Sequence, residues 1–343
     1  MRIKVLGGGW YGCGLAEHLL ANGHAVTLHE KADHLFAGAS GANPARLHQG
    51  FHYPRSSATR AFCQTYAPKF EQKYGFLTRA VPVNLYAIAE HDSLMDFGNY
   101  VKVLRGEVDF VPVLRPKDFG LRNVEGALQT NERHIVADLA RAHFEKALAG
   151  HVAYQAADHE FVSDDGYDLT IDCTFCARDS ENIDRFEPCL TVLLEGRSDI
   201  AVTIMDGPFP SIYPWNEDRG ISSLTSARYT PISKSCATYE EARAVLGAQT
   251  QSDLAARGTL MLEQMAHFWP ECRDIYKPVE YRTAVRAMPR SGADARLVDV
   301  VRTGAKRLRI RAGKIDAVLY ACTLIDGHIG QAGEAARSSA ARA

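Results

Sequence analysis

Hydrophobic and polar positions change rhythm quickly at the start of the chain. Arg2 to Leu6 is a short apolar run of the kind buried in a parallel sheet. Leu15, Leu19 and Leu20 then recur at helical spacing until Asn22-Gly23 stops them, and Ala25 to His29 is a second short strand closed by an acid, Glu30. Further on, Ser56 or Ser57 is placed to cap a helix reaching about Tyr74, with Ala61, Tyr66 and Phe70 as its apolar positions. Val83 to Ala89 reads as a strand, Asp92 to Leu104 as a helix, Val108 to Val113 as a strand, and Val136 to Leu148 as a helix stopped by Gly150. Short strands are expected at His151 to Tyr154, Glu160 to Ser163 and Tyr167 to Asp172.

The second half alternates with period two. Leu190 to Leu194, Ala201 to Met205, Ser211 to Tyr213 and Ile221 to Thr225 read as strands of one mixed sheet, with a turn at Met205 to Phe209. Ala237 to Phe268 carries two helices. Glu280 to Met288, Arg296 to Val301 and Leu308 to Arg311 are strands, and Ala312-Gly313-Lys314-Ile315-Asp316 opens a helix through Cys322. Beyond Gly327 the Ala-, Ser- and Arg-rich tail, 327–343, reads as disordered.

Between the first strand and helix stands Gly7-x-Gly9-x-x-Gly12. Gly7 allows the tight turn, Gly9 lets the backbone approach a pyrophosphate, and Gly12 lets the helix pack on the strand, so phosphates meet the positive helix end. Strand, glycines, helix, strand and terminal acid arrive in that order within about 30 residues, the length of one dinucleotide-binding unit. Glu30 stands where a carboxylate accepts ribose hydroxyls, and its charge disfavours the 2′-phosphate of NADP. The next stretch is small from Ala37 to Ala42, as for a backbone wrapped closely around something, and then crowds Arg46, His48, His52, Tyr53 and Arg55 into ten residues.

Composition sets few further limits. At 343 residues, with 23% charged and 46% hydrophobic residues and a net charge of −2, the chain has room for two domains and no global attraction to nucleic acid or membrane. No apolar run reaches a membrane span and no signal-like segment leads the chain, so a cytoplasmic protein is expected. The eight cysteines are scattered, and Cys173-x-x-Cys176 has no second pair, so no metal site is assigned. There is no nucleophile elbow, zinc-protease motif or P-loop, which removes hydrolase and kinase chemistry.

The glycine turn, Glu30-Lys31, Gly38-x-Ser40-x-x-Asn43 and Leu47-His48-x-Gly50 together resemble the N-terminal third of the D-amino acid oxidase-like flavoproteins, which include glycine oxidase, sarcosine oxidase and L-2-hydroxyglutarate dehydrogenase. The resemblance implies FAD as cofactor. It implies an α/β fold in which a Rossmann-like, glutathione reductase-like FAD-binding domain (1–80, 136–185, 300–326) is interleaved with a mixed-sheet α+β substrate domain (81–135, 186–299). It assigns cofactor contacts to Gly7, Gly9, Gly12, Glu30, Lys31, Ser40, Asn43, Arg46 and Leu47. Thr174 keeps only the threonine of the family's Ala-Thr-Gly. The family's C-terminal turn matches Gly313, Lys314 and Ile315, where helix-end N–H groups and Lys314 meet the negative charge of reduced flavin.

For the substrate face, His48, His52, Tyr53, Arg55 and Tyr213 are the catalytic candidates, with Tyr229 a further aromatic. Arg282, Arg286 and Arg290 share one strand face, which is costly unless anions meet them, and Arg286 is the candidate for a substrate carboxylate. The expected reaction is oxidation of the C–N bond of an amino acid or N-substituted glycine. A narrower form is the lyase of phage thymidine hypermodification, which acts on glycine carried by a modified nucleoside, although charge gives no sign of nucleic acid. The alternatives are oxidation of a 2-hydroxy acid and a non-catalytic dinucleotide-binding regulator.

Overall fold

The computed structural model describes residues 1–177, 183–289, 298–311 and 313–340. By packing, the chain divides into two compact units, Met1–Ala37 with Arg141–Cys176 and Arg296–Ala343, and Gly38–Ala140 with Ala177–Ala295. Segment 38–80, expected in the FAD-binding domain, packs within the second unit, because Arg46–Leu47 and Thr78–Ala80 both pair antiparallel with Arg133–Ile135.

The first unit is built on a six-stranded sheet in the order Asp299–Gly304, Arg307–Arg311, Leu169–Asp172, Arg2–Leu6, Ala25–His29, Val152–Ala153. All neighbours are parallel except the first two, which form an antiparallel edge hairpin. Parallel strands are covered on both faces, and Ile3, Val5, Leu6, Leu28 and Ile171 are accordingly buried. The first helix, Trp10–Ala21, packs close to the last, Val318–Ala340. That last helix runs on to Ala340, across most of the segment expected to be disordered: buried Val318, Ala321, Cys322 and Ile325 anchor its first turns, and the Ala-rich continuation is intrinsically helix-favouring.

The second unit holds an eight-stranded mixed sheet, ordered Lys277–Pro289, Ile183–Glu195, Ile221–Ser226, Pro210–Asn216, Ile200–Met205, Val83–Ala89, Val124–Thr130, Phe110–Val113. Only the pair Ile200–Met205 and Val83–Ala89 is parallel. Period two sends Leu85, Ala87 and Ala89 to one face, against Leu254, Met261 and Met265 of the helix Gln251–Phe268. Tyr86 and Ile88 go to the other, with Phe51, Tyr100 and Leu104. Asn84 shares the face of Tyr86, and that face carries the polar cluster described below.

Several elements differ from expectation. Glu160 to Ser163 is not a strand; Asp158–Phe161 is a 3-10 turn whose Glu160 accepts the Ala157 amide at 2.6 Å. The helix expected from Asp92 starts only at Phe97, where Asp96 caps it by accepting the Asn99 amide. Helix Ser57–Tyr74 begins at its expected cap, Ser56, but buries Cys63, Ala67, Phe70 and Tyr74 and leaves Ala61 exposed. The strand Val124–Thr130 and the three-stranded sheet were not anticipated. Arg290, Arg296, Leu297, Ala312 and residues 341–343 lie outside the described residues. Among the described residues no helix is long and apolar enough to cross a membrane.

Candidate active site

In the first unit the glycine turn has the shape its sequence requires. Gly7 is left-handed, with φ of +94°. A Cβ on Gly12 would lie 1.8 Å from the Gly7 carbonyl oxygen, so helix and strand could not keep their contact with any other residue there. Gly9 precedes the helix in extended conformation, and no side chain caps the helix start. Glu30, at the end of its strand, accepts the Gly8 amide on Oε2 at 2.6 Å and the Ala32 amide on Oε1 at 2.8 Å. A carboxylate offers about four acceptor positions, and two backbone donors leave room for ribose hydroxyls. A tight cradle, an uncapped helix start and a partly satisfied acid fit an anionic dinucleotide.

The C-terminal turn is tied to the same helix. Tyr11 donates its hydroxyl to the Lys314 carbonyl at 2.5 Å and accepts the Gly313 amide at 3.1 Å. Burial pushes the Tyr11 phenol well above its ordinary range, so it stays a neutral strut. Lys314 is buried, its Nζ 3.7 Å from buried Asp316, and Ile315 starts a 3-10 turn without a side-chain cap. Thr174 folds back on Asp172, bonding Oδ1 through both amide and hydroxyl, while Arg309 holds the other oxygen. Lys31 instead faces Asp158 on the surface, at 3.0 Å. Cys176 is buried, its thiol pushed up to about 11 by burial, and so remains protonated.

In the second unit, Ser40 lies in the 3-10 turn Ala39–Gly41, and the Asn43 side chain accepts the Ala45 amide at 3.1 Å. Just beyond, the structure assembles the predicted rings. His48 and His52 stack at 5.3 Å, and Tyr53 meets both edge-on at 5.4 Å. Beneath them is Glu132, fully buried and unforeseen. It accepts the Gln49 amide at 2.6 Å and the Tyr86 hydroxyl at 2.5 Å, with His48 Nδ1 3.7 Å from the Tyr86-bonded oxygen. Burial alone would raise this carboxyl; the hydrogen bonding and charge of His48, the Tyr86 hydroxyl and the Gln49 amide outweigh it, and the net shift is downward.

The network continues through Asn84, which donates to the Glu132 carbonyl at 3.1 Å and to the Tyr213 hydroxyl at 3.0 Å. Arg46 lies over the Tyr213 ring, 4.3 Å from its centroid, and donates to the hydroxyls of Thr203 and Ser211. Leu47 is buried beside it. Arg55 is occupied by Asp206, at 2.7 Å. Tyr229 is half-buried against the core.

The arginine face resolves differently from the substrate-carboxylate expectation. Arg286 is in register with Glu187 on the adjacent strand and pairs with it; Glu187 is 1% exposed and also accepts from Arg185 at 2.8 Å. The anion this strand face needs is therefore a protein carboxylate, supplied by a residue whose single letter in a strand gave no sign of its register. Glu132 gives as little sign of its role, since it sits in the short link between the strands Val124–Thr130 and Arg133–Ile135, which belong to different sheets. Tyr86 and Asn84 lay in an anticipated strand, but which face is polar depends on that missing acid.

Residues 2–149 match the family described as DAO, FAD dependent oxidoreductase. Over 331 residues the chain is 34% identical to the FAD-dependent monooxygenase FPY4 of Fusarium mangiferae, covering 93% of this chain and 88% of that protein. It is 28% identical to the FAD-dependent monooxygenase kojA of Aspergillus flavus, covering 86% and 78%. Glycine oxidase from Geobacillus kaustophilus has the same fold, with a TM-score of 0.63 at 14% identity over 93% of this chain and 91% of that one.

Proposed function

The chain belongs to the DAO family of FAD-dependent oxidoreductases, and from that premise we propose that it dehydrogenates a carbon bearing a hydroxyl group in a small polar substrate, with His48 as the base. FAD, the cofactor of this family, supplies the two-electron acceptor when bound. The observation that carries the reading is the buried Glu132 beside His48. An alcohol must lose its hydroxyl proton as the carbon is oxidised. A neutral amine needs no such help, so the C–N oxidation of an amino acid or N-substituted glycine gains less from this pair. With Nδ1 held toward Glu132, Nε2 of His48 accepts the proton, and the carboxylate stabilises the imidazolium. A substrate carboxylate is no longer needed to account for Arg286.

The test is anaerobic flavin bleaching by a panel of hydroxy acids, polyols and amino acids. His48→Asn should keep FAD and bleach about 10² to 10⁴ times more slowly with the responsive substrate. The variant should also lose the fall in rate that protonation of this base causes in acid. Equal bleaching rates in the two proteins would remove His48 from the chemistry. The relatives named monooxygenases favour a second reading, in which oxygen enters the product, and labelled dioxygen separates it from simple dehydrogenation.

A further inference from the structure

Arg282 has a partner that neither the cofactor nor the base assignment uses. Its guanidinium donates through Nη1 to the carbonyl of Gly41 at 2.8 Å, while Nε and Nη2 engage Glu280 at 2.8 and 3.4 Å. The same group lies 5.1 Å from the Trp215 ring centroid. Gly41 closes the 3-10 turn Ala39–Gly41 between Ser40 and Asn43. This small-residue turn has little side-chain packing of its own: Ala39, Ser40 and Gly41 are only partly buried, and Gly38 has no atom close to where a Cβ would lie. A fork fixed on two sides by Glu280 and Trp215, with its remaining arm on a backbone carbonyl, is a device for setting the shape of that turn.

We propose that Arg282 is a positioning residue for FAD: acting through Gly41, it holds the turn in the form that receives the cofactor, without touching the cofactor itself. The inference rests on the reading that the segment from Gly38 to Asn43 contacts FAD. It gives the strand Lys277–Pro289 a role in cofactor retention that is separate from the structural pair made by Arg286 four residues later.

The experiment measures the FAD dissociation constant and the unfolding midpoint of the apoprotein for Arg282→Ala, Arg282→Lys, Ser40→Ala and Asn43→Ala. Arg282→Ala should weaken FAD binding tenfold or more while the apoprotein midpoint stays within about 2 °C of wild type. Arg282→Lys, which can still donate one bond to Gly41, should recover part of the affinity. If Ser40→Ala or Asn43→Ala loses FAD while Arg282→Ala keeps wild-type affinity, the positioning role is overturned and the segment assignment stands. If all the variants keep wild-type affinity, the segment assignment itself fails. A loss in Arg282→Ala that tracks a fall in the apoprotein midpoint, without recovery in Arg282→Lys, overturns the positioning role in favour of general packing.

Discussion

His48 holds its Nδ1 3.7 Å from Oε2 of Glu132, the oxygen that also accepts the Tyr86 hydroxyl at 2.5 Å. The Gln49 amide takes the other oxygen, so both sides of the carboxylate face donors. In Glu132→Gln one side of the amide would present its own N–H groups to one of them. That mismatch should cost about 1 to 3 kcal/mol of stability and should slow substrate-dependent bleaching, since the imidazolium loses its counter-charge. Denaturant unfolding and stopped-flow reduction measure the two effects; a variant unchanged in both would show that the acid serves neither.

The same carboxylate predicts a pH signature. Its folded-state value lies below the ordinary one, so the folded protein binds this proton less readily than the unfolded chain does. Stabilisation from Glu132 is complete above about pH 4.3, the unperturbed glutamate value, and is lost as pH falls through the depressed folded value. The stability gap between wild type and Glu132→Gln should therefore narrow as the pH falls into the acid range. A gap that widened as pH fell would contradict a depressed carboxyl.

Gly12→Ala puts a methyl group where the Gly7 carbonyl oxygen already lies, 1.8 Å away. Strand and helix must separate, at a cost of about 3 kcal/mol or more, and the turn between them opens. Protein purified from this variant should be colourless or insoluble. A yellow, normally stable Gly12→Ala protein would mean the turn is not built as described.

Arg286→Ala should behave as a stability variant. It leaves Glu187, 1% exposed, with Arg185 alone. Because the Arg286 side chain is itself 40% exposed and one partner remains, the expected loss is about 1 to 3 kcal/mol, below that of breaking an isolated buried pair. FAD affinity and the substrate concentration dependence of bleaching should not move. A tenfold rise in the substrate's apparent dissociation constant at unchanged stability would restore Arg286 to substrate binding.

What was legible in the sequence followed the range of the interactions involved. The glycine turn, its helix and the strand ending at Glu30 are close in the chain, and each glycine answers a local steric demand, so spacing alone revealed them. The His48, His52 and Tyr53 group was readable for the same reason: a run of six residues cannot scatter far. Glu132 and Glu187 were not, because their meaning lies in register. Glu187 reaches Arg286 across 99 residues of chain, and Glu132 reaches Tyr86 across 46. A one-residue slip in the strand pairing would turn Glu187 to the opposite face of its sheet, while Glu132 depends on where the link between two strands is placed. The tail reads differently for another reason, since an Ala-rich composition that suits disorder also suits a helix when it continues packed turns such as those of Val318 to Ile325.

The order of strands in the first unit has a further consequence for synthesis. Arg2–Leu6 leaves the ribosome well before its neighbour Leu169–Asp172, and Arg307–Arg311, next in line, emerges later still. Tyr11 likewise waits for Gly313 and Lys314. The nascent nucleotide cradle therefore stays unfinished until the segment reaching Lys314 has emerged, and cofactor retention waits for it. A ribosome-bound fragment ending before residue 300 should not retain FAD, however complete its glycine turn.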